Sequence, residues 1–254
     1  MRTAPWLIAG LFLVAAGARA GAADRVSVAA AANLVYVLDP LNAEFARVCP
    51  EVAVTSEIGA SGSLVAQIES GAPYDVFLSA DADYPKRLVE SGGAVGSSLV
   101  IFAIGKLVLW TTRSEIDLSS IEAVVHNPSV GRLAIANPRT APYGRAAGEA
   151  LAKLGLTGIA GPKLVYGENI TQTAQYVSSG NVDAGFVALS LVLSPKLRDK
   201  GRWLEVPAGL YSPIEQGAVL TTRGAGNAGA RRYMGFLASP AARKVFAQFG
   251  YGAP

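Results

Sequence analysis

Short apolar runs and amphipathic helical stretches take turns along most of this chain, and that alternation limits its fold more than any other feature. Arg25 to Ala32 is a valine and alanine run that predicts a buried strand, and Asn33 ends it. Leu34, Val37, Leu38, Leu41 and Phe45 then recur at helical spacing. Asn33 therefore reads as a helix N-cap, with Pro40 either kinking that helix or marking a late start. Val52 to Ser56 is expected as a second strand, and Asp75 to Ser79 as a third, after which Asp81 to Leu88 opens another helix. Strands separated by helices in this way imply a parallel sheet covered by helices on its faces.

Between the second and third strands lies Ile58-Gly59-Ala60-Ser61-Gly62-Ser63-Leu64-Val65-Ala66-Gln67-Ile68-Glu69. It reads as a polar loop running into a helix whose buried stripe is Leu64, Val65 and Ile68, with Gln67 and Glu69 in water. Ser61 or Ser63 suits the N-cap, and Gly59 and Gly62 let the backbone turn tightly before it. The first turn of such a helix offers unpaired N–H groups and the positive end of the dipole, so it can receive an anion. The plain alternative is that the serines only cap the helix.

Val100 to Ile104 and Lys106 to Thr111 are two apolar strands on either side of Gly105, and a second alternating series follows. Leu133 to Ala136, Lys163 to Val165 and Ala184 to Ala188 are expected as strands, with helices at Tyr143 to Leu154 and Asn169 to Val177. A late strand at Gly217 to Thr221 follows the 207–213 loop, and helices at Ala228 to Leu237 and Ala241 to Phe249 close the chain. Two such series joined by paired strands predict two α/β lobes with a cleft between them. Open parallel sheets bind ligands at the carboxyl ends of their strands. Four strand-to-helix junctions carry donors there: Ala32-Asn33, Ser61-Gly62, Pro142-Tyr143 and Asn169-Ile170. Each lobe supplies two.

The residues needed for most catalytic chemistry are missing. His126 is the only histidine and lies in His-Asn-Pro-Ser, a surface turn by composition. A triad would have to use it, and the segment around Ser61 lacks the second glycine of a nucleophile elbow. Cys49 is the only cysteine, so no internal disulfide can form, and it reads as a buried thiol near a helix end. Metal sites built from histidine and cysteine are excluded by this count. Asp75, Asp81 and Asp83 read as helix caps and first-turn charges rather than a cation site. Glu168, beside Asn169, would repel an anion in the cleft or accept a hydrogen bond from a protonated one. No Walker A loop or G-x-G-x-x-G follows a strand. Basic residues such as Arg139, Arg145, Arg231 and Arg232 are scattered without interleaved aromatics, which argues against nucleic acid.

The N-terminus is expected to be a cleaved secretory signal. Arg2 gives a positive start, Trp6 to Ala16 is apolar but too short to span a bilayer with ease, and small residues between Ala18 and Ala23 suit cleavage. Cleavage removes Arg2 and Arg19 and lowers the formal charge of +3 toward neutrality, so the high sequence pI does not argue for nucleic acid.

Several motifs, taken together, resemble the periplasmic molybdate-binding proteins of ABC transporters. They are Ala-Ala-Ala-Asn-Leu at 30–34, Ala-Ser-Gly-Ser-Leu at 60–64, and Gln67 to Pro73 leading into Asp75-Val-Phe-Leu-Ser-Ala-Asp81. Gly131 to Pro138 running through Pro142-Tyr-Gly144 to Gly155 is of the same type, as are the tail segments 233–240 and 245–250. The resemblance covers essentially the whole chain after the signal. It implies a two-lobed type II periplasmic binding protein fold: α/β, each lobe a mostly parallel sheet flanked by helices, with the ligand in the cleft. The implied division is a signal at 1–23, a first lobe from 24–106 and 214–254, and a second lobe from 107–213.

The implied function is an extracytoplasmic subunit that captures molybdate, and also tungstate, and delivers it to the membrane permease. It would act in the periplasm as a monomer, with no catalytic residues, no cofactor and no direct metal ligands. Carried over position by position, the ligand contacts fall on Asn33, Ser61, Tyr143 and Ile170. Asn33 stands where the family often has serine, and still offers a side-chain donor and a backbone N–H. The position that holds a tyrosine hydroxyl in some members falls on Ala188, which has no such donor; Tyr143 is expected to supply the hydroxyl instead. Molybdate is a dianion at neutral pH and needs donors only, whereas phosphate keeps a proton and needs an acceptor. Sulfate or thiosulfate fits the same donors and is the alternative ligand, and an exported serine hydrolase using Ser61 is the remote one.

Overall fold

The computed structural model describes residues 24–254, so the expected signal segment lies outside the described residues. The described part opens with strand β1 (Asp24–Ala31), whose apolar stretch from Val26, interrupted only by Ser27, suits a strand buried on both faces. It then tightens into a 3₁₀ turn over Ala32–Leu34, and helix α1 begins only at Leu38 and runs to Val48. Asn33 therefore does not cap a helix. Pro40 falls in the first turn of α1, where its missing N–H costs little. Strand β2 (Val52–Gly59), helix α2 (Ser61–Glu69), strand β3 (Val76–Leu78), helix α3 (Asp83–Glu90) and strand β4 (Val100–Gly105) follow.

The second series comprises β5 (Leu107–Thr111), α4 (Ile121–His126), β6 (Leu133–Ala136), α5 (Pro142–Lys153), α6 (Thr157–Ala160) and β7 (Leu164–Gly167). It continues through α7 (Ile170–Ser178), β8 (Ala184–Ala188), α8 (Leu189–Val192) and β9 (Arg202–Glu205). The chain then returns as β10 (Ile214–Leu220) and ends in α9 (Ala228–Leu237) and α10 (Pro240–Gln248).

These strands form two five-stranded sheets, ordered β2-β1-β3-β10-β4 and β7-β6-β8-β5-β9. In the first, β2 and β3 run parallel to β1 while β10 is antiparallel to both β3 and β4. In the second, β7 and β8 run parallel to β6 while β5 is antiparallel to β8 and β9. The chain passes between sheets at Gly105–Leu107 and again between β9 and β10. Both sheets carry helices on their faces, giving the two-lobed architecture that the alternating pattern implies.

Alanines at the carboxyl ends of β1 and β2 and just beyond β3 (Ala31, Ala32, Ala60 and Ala80) are buried in the apolar cluster that fills the second lobe. Their small side chains let the two lobes meet at close range. Four elements carry little sequence signal: α4, α6 and α8 are short, and β9 is a largely exposed edge strand. His126, read as a turn residue, is instead the last residue of α4; it is exposed, with Nδ1 2.9 Å from the Glu122 carbonyl oxygen.

Candidate functional site

The cleft between the lobes is lined by the ends of strands and the starts of helices. From the first lobe come Ala31, Ala32, Asn33, Gly59, Ala60, Ser61 and Ala80; from the second, Ala141, Pro142, Tyr143, Asn169 and Ile170. The structure thus brings Asn33, Ser61, Tyr143 and Ile170 to one place. Ala188 is buried at the end of β8 and is not among the lining residues. The free space between these walls is about 10 Å³. Sites for drug-sized organic molecules run to roughly 300–1,000 Å³, so this one suits a small ion.

Ser61 is the first residue of α2, and Ala60 before it, not Ser61, holds the N-cap position. The reason is that the Ser61 Oγ is engaged elsewhere, accepting the Ala80 N–H at 3.0 Å. A hydroxyl that accepts a backbone N–H keeps its own proton free to donate. The Gly62 N–H is not free: it donates to the Thr140 carbonyl across the lobe boundary at 2.9 Å. On the other wall, the Asn169 side chain caps α7 by accepting the Gln172 N–H, which leaves the first N–H groups of that helix facing the cleft end. Helices α2, α5 and α7 all begin at this cleft, so three positive dipole ends converge there.

Asn33 offers less than its side chain suggests. Its Nδ2 donates to Gln216 Oε1 at 2.7 Å and to the Tyr251 hydroxyl at 2.6 Å. Gln216 cannot turn around, because its Nε2 donates to the Ala80 and Ile214 carbonyls. The amide hydrogens of Asn33 are therefore spent, which corrects the expectation of a side-chain donor and leaves its backbone N–H. Asn33 Oδ1 is buried with no hydrogen-bond partner. Ser190 and Tyr251 tie the same residue to the second lobe, through Ser190 Oγ donating to the Asn33 carbonyl at 2.8 Å and the Tyr251 hydroxyl 3.2 Å from Ser190 Oγ. Neither Gln216 nor Tyr251 was foreseeable as a partner of Asn33, since both lie far along the chain.

Tyr143, on the first turn of α5, is 1% exposed. Burial pushes its hydroxyl well above the usual tyrosine range, and the neighbouring Tyr251 and Tyr211 add to this. The group therefore stays protonated, a donor, at any physiological pH. A Cβ at Gly105 would sit 2.2 Å from that hydroxyl, so the strand that leads into the lobe crossing must carry glycine there.

None of the lining residues is charged. Glu168 is exposed and does not line the cleft, and its N–H is taken by Gln172 Oε1. Asp75 accepts the Ser27 N–H and pairs with Arg223, Asp81 accepts the Tyr84 N–H, and Asp83 opens α3. Among the described residues no group of acidic, histidine or cysteine side chains could hold a metal ion, and no helix is long and apolar enough to cross a membrane. Cys49 is half-buried at the end of α1. A neutral, donor-rich pocket at converging helix N-termini is suited to holding an anion by hydrogen bonds.

Comparison with known proteins agrees with that chemistry. Residues 26–252 match the family described as bacterial extracellular solute-binding protein. The chain is 41% identical to the molybdate-binding protein ModA of Azotobacter vinelandii over 233 residues, 92% of each chain. It is 40% identical to ModA of Rhodobacter capsulatus, over 98% of this chain and 94% of that one. The solved structure of the Azotobacter vinelandii periplasmic molybdate-binding protein superposes with a TM-score of 0.84, covering 90% of this chain and 99% of that one. A sulfate-binding protein of Mycobacterium tuberculosis, at 14% identity and a TM-score of 0.73, shares the fold alone. On this profile match and these near full-length relatives, the chain belongs to the bacterial extracellular solute-binding proteins.

Proposed function

We propose that this protein is the extracytoplasmic solute-binding subunit of an ABC transporter, capturing molybdate, and tungstate with it, in the cleft and delivering it to the membrane permease. The observation that carries the reading is the uncharged cleft with donors from both lobes: the free proton of Ser61, the buried hydroxyl of Tyr143, and backbone N–H groups at Asn33 and Ile170. A tetrahedral dianion needs such donors and no counter-ion. Charge-assisted hydrogen bonds contribute about 1.5–3 kcal/mol each, and several of them, less the costs of closure and desolvation, suffice for binding at about −8 kcal/mol. The names of the relatives at 40–41% identity support the choice of molybdate. Ala188 makes no side-chain contribution in this scheme.

The lobes are taken as 24–106 with 214–254, and 107–213. The protein acts as a monomer in the periplasm, after removal of the signal segment, and without catalytic turnover. One observation favours a second reading. Asn33, one of the lining residues, has a buried Oδ1 that lacks a donor, and a singly protonated oxyanion such as hydrogen phosphate would bring one if it reached that atom. Calorimetric titration of the mature protein with molybdate, tungstate, sulfate and phosphate separates these readings. Heat of binding with molybdate and tungstate at sub-micromolar affinity is expected; no response to molybdate overturns the proposal, and tight phosphate binding favours the second reading.

A further inference from the structure

The lobes are joined beside the cleft by a charged contact between two residues that do not line it. Arg145, in the first turn of α5, donates to Asp81 Oδ2 at 2.8 Å, and Asp83 Oδ2 lies 3.7 Å from the same guanidinium nitrogen. Asp81 is held rigidly by its own lobe: its Oδ1 accepts the Tyr84 N–H and the Ser79 hydroxyl. That leaves Oδ2 for the other lobe. Asp81 follows Ala80, and Arg145 comes two residues after Tyr143, so each partner is anchored to one wall of the cleft. The pair forms only when those walls are together. Two further contacts cross nearby, the Gly62 N–H to the Thr140 carbonyl at 2.9 Å and the Tyr84 hydroxyl to the Arg139 carbonyl at 3.0 Å.

We propose that Arg145 and Asp81 are positioning residues for ligand retention: their ion pair holds the lobes closed and thereby sets how long a bound oxyanion stays. This rests on the molybdate reading above. The Asp81 side chain is 5% exposed and that of Arg145 42%, so the pair stands between an exposed bridge and a buried one. Breaking it is expected to raise the dissociation rate about tenfold, with the association rate changed little.

The test is dissociation of radiolabelled molybdate from wild type, Arg145→Gln, Asp81→Asn, the double variant and Arg145→Lys, at low and high salt. Each single variant is expected to release ligand about tenfold faster, the double variant no faster than the singles, and Arg145→Lys to recover part of the loss. Added salt should speed release from wild type more than from Arg145→Gln. Dissociation of Arg145→Gln within twofold of wild type, or a double variant equal to the product of the singles, overturns the proposal. A wild-type protein that does not bind molybdate refutes the functional reading instead. In that case hydrogen exchange at the Gly62 amide of the ligand-free protein still decides the latch: faster exchange in Arg145→Gln supports it, and unchanged exchange overturns it.

Discussion

Replacing Ser61 by alanine removes one hydroxyl with two separate duties, and the two can be measured apart. As a donor, the Ser61 proton is expected to make a charge-assisted hydrogen bond to the oxyanion, worth about 1.5–3 kcal/mol. Its loss should raise the molybdate Kd by roughly 10- to 150-fold. As an acceptor, the same oxygen satisfies the buried Ala80 N–H at 3.0 Å. Leaving that N–H without a partner costs about 1–3 kcal/mol of ligand-free stability, or about 2–4 °C in melting temperature per kcal/mol for a chain of this size. Calorimetric titration reads the first effect and a thermal melt of the ligand-free protein the second. Ser63→Ala is the control. Ser63 is the other serine of that turn, half-exposed and outside the cleft lining, so its loss should change binding by less than about 0.5 kcal/mol. If the two variants bound molybdate equally well, the assignment of Ser61 as a direct contact would be wrong.

Other perturbations probe the remaining parts of the cleft. Gly62→Ala places a Cβ 2.5 Å from the Tyr84 hydroxyl and 3.0 Å from the Thr140 Cα, so it should weaken molybdate binding while sparing ligand-free stability; small-angle scattering that shows ligand still compacting the variant fully would contradict this. Tyr143→Phe should weaken molybdate binding about tenfold, and an unchanged Kd would place that hydroxyl outside the ligand shell. Burial raises the hydroxyl pKa of Tyr143, Tyr233 and Tyr251, so the folded state holds these protons after the unfolded chain has begun to lose them. Stability contributed this way is complete below about pH 10 and falls as pH rises beyond it. Melting temperatures that stay level from pH 9 to 11 would refute that sign.

The parts of the fold that were legible in the sequence are those where burial leaves a periodic trace. Leu133–Ala136 and Ala184–Ala188 are buried along their whole length and read as unbroken apolar runs, and α2 buries Leu64, Val65 and Ile68 while Gln67 and Glu69 stay exposed. The edge strand Arg202–Glu205 has no such trace, since it takes its shape from pairing with β5 rather than from a buried face of its own. Asn33 was misread for a different reason. Its amide can cap a helix locally, but Gln216 and Tyr251 compete for it in the fold, and no local pattern announces partners so far along the chain. The Asp81–Arg145 contact was hidden in the same way: Asp81 had a sufficient local role at a helix start, Arg145 was one of several scattered basic residues, and only the meeting of the lobes pairs them.

The order of strands in the first sheet has a consequence for synthesis. β4 is joined to its sheet only through β10, which is made more than a hundred residues later, whereas the second sheet takes all its strands from one continuous stretch, 107–205. A chain emerging from its N-terminus therefore carries β4 unpaired until the return strand arrives, with the long-range loop closure that this requires. The second lobe can complete its sheet before that moment. The lobe that contains the earliest strand is thus the one that waits longest for its last, and during that interval the exposed edges of β3 and β4 are sites where another chain could pair.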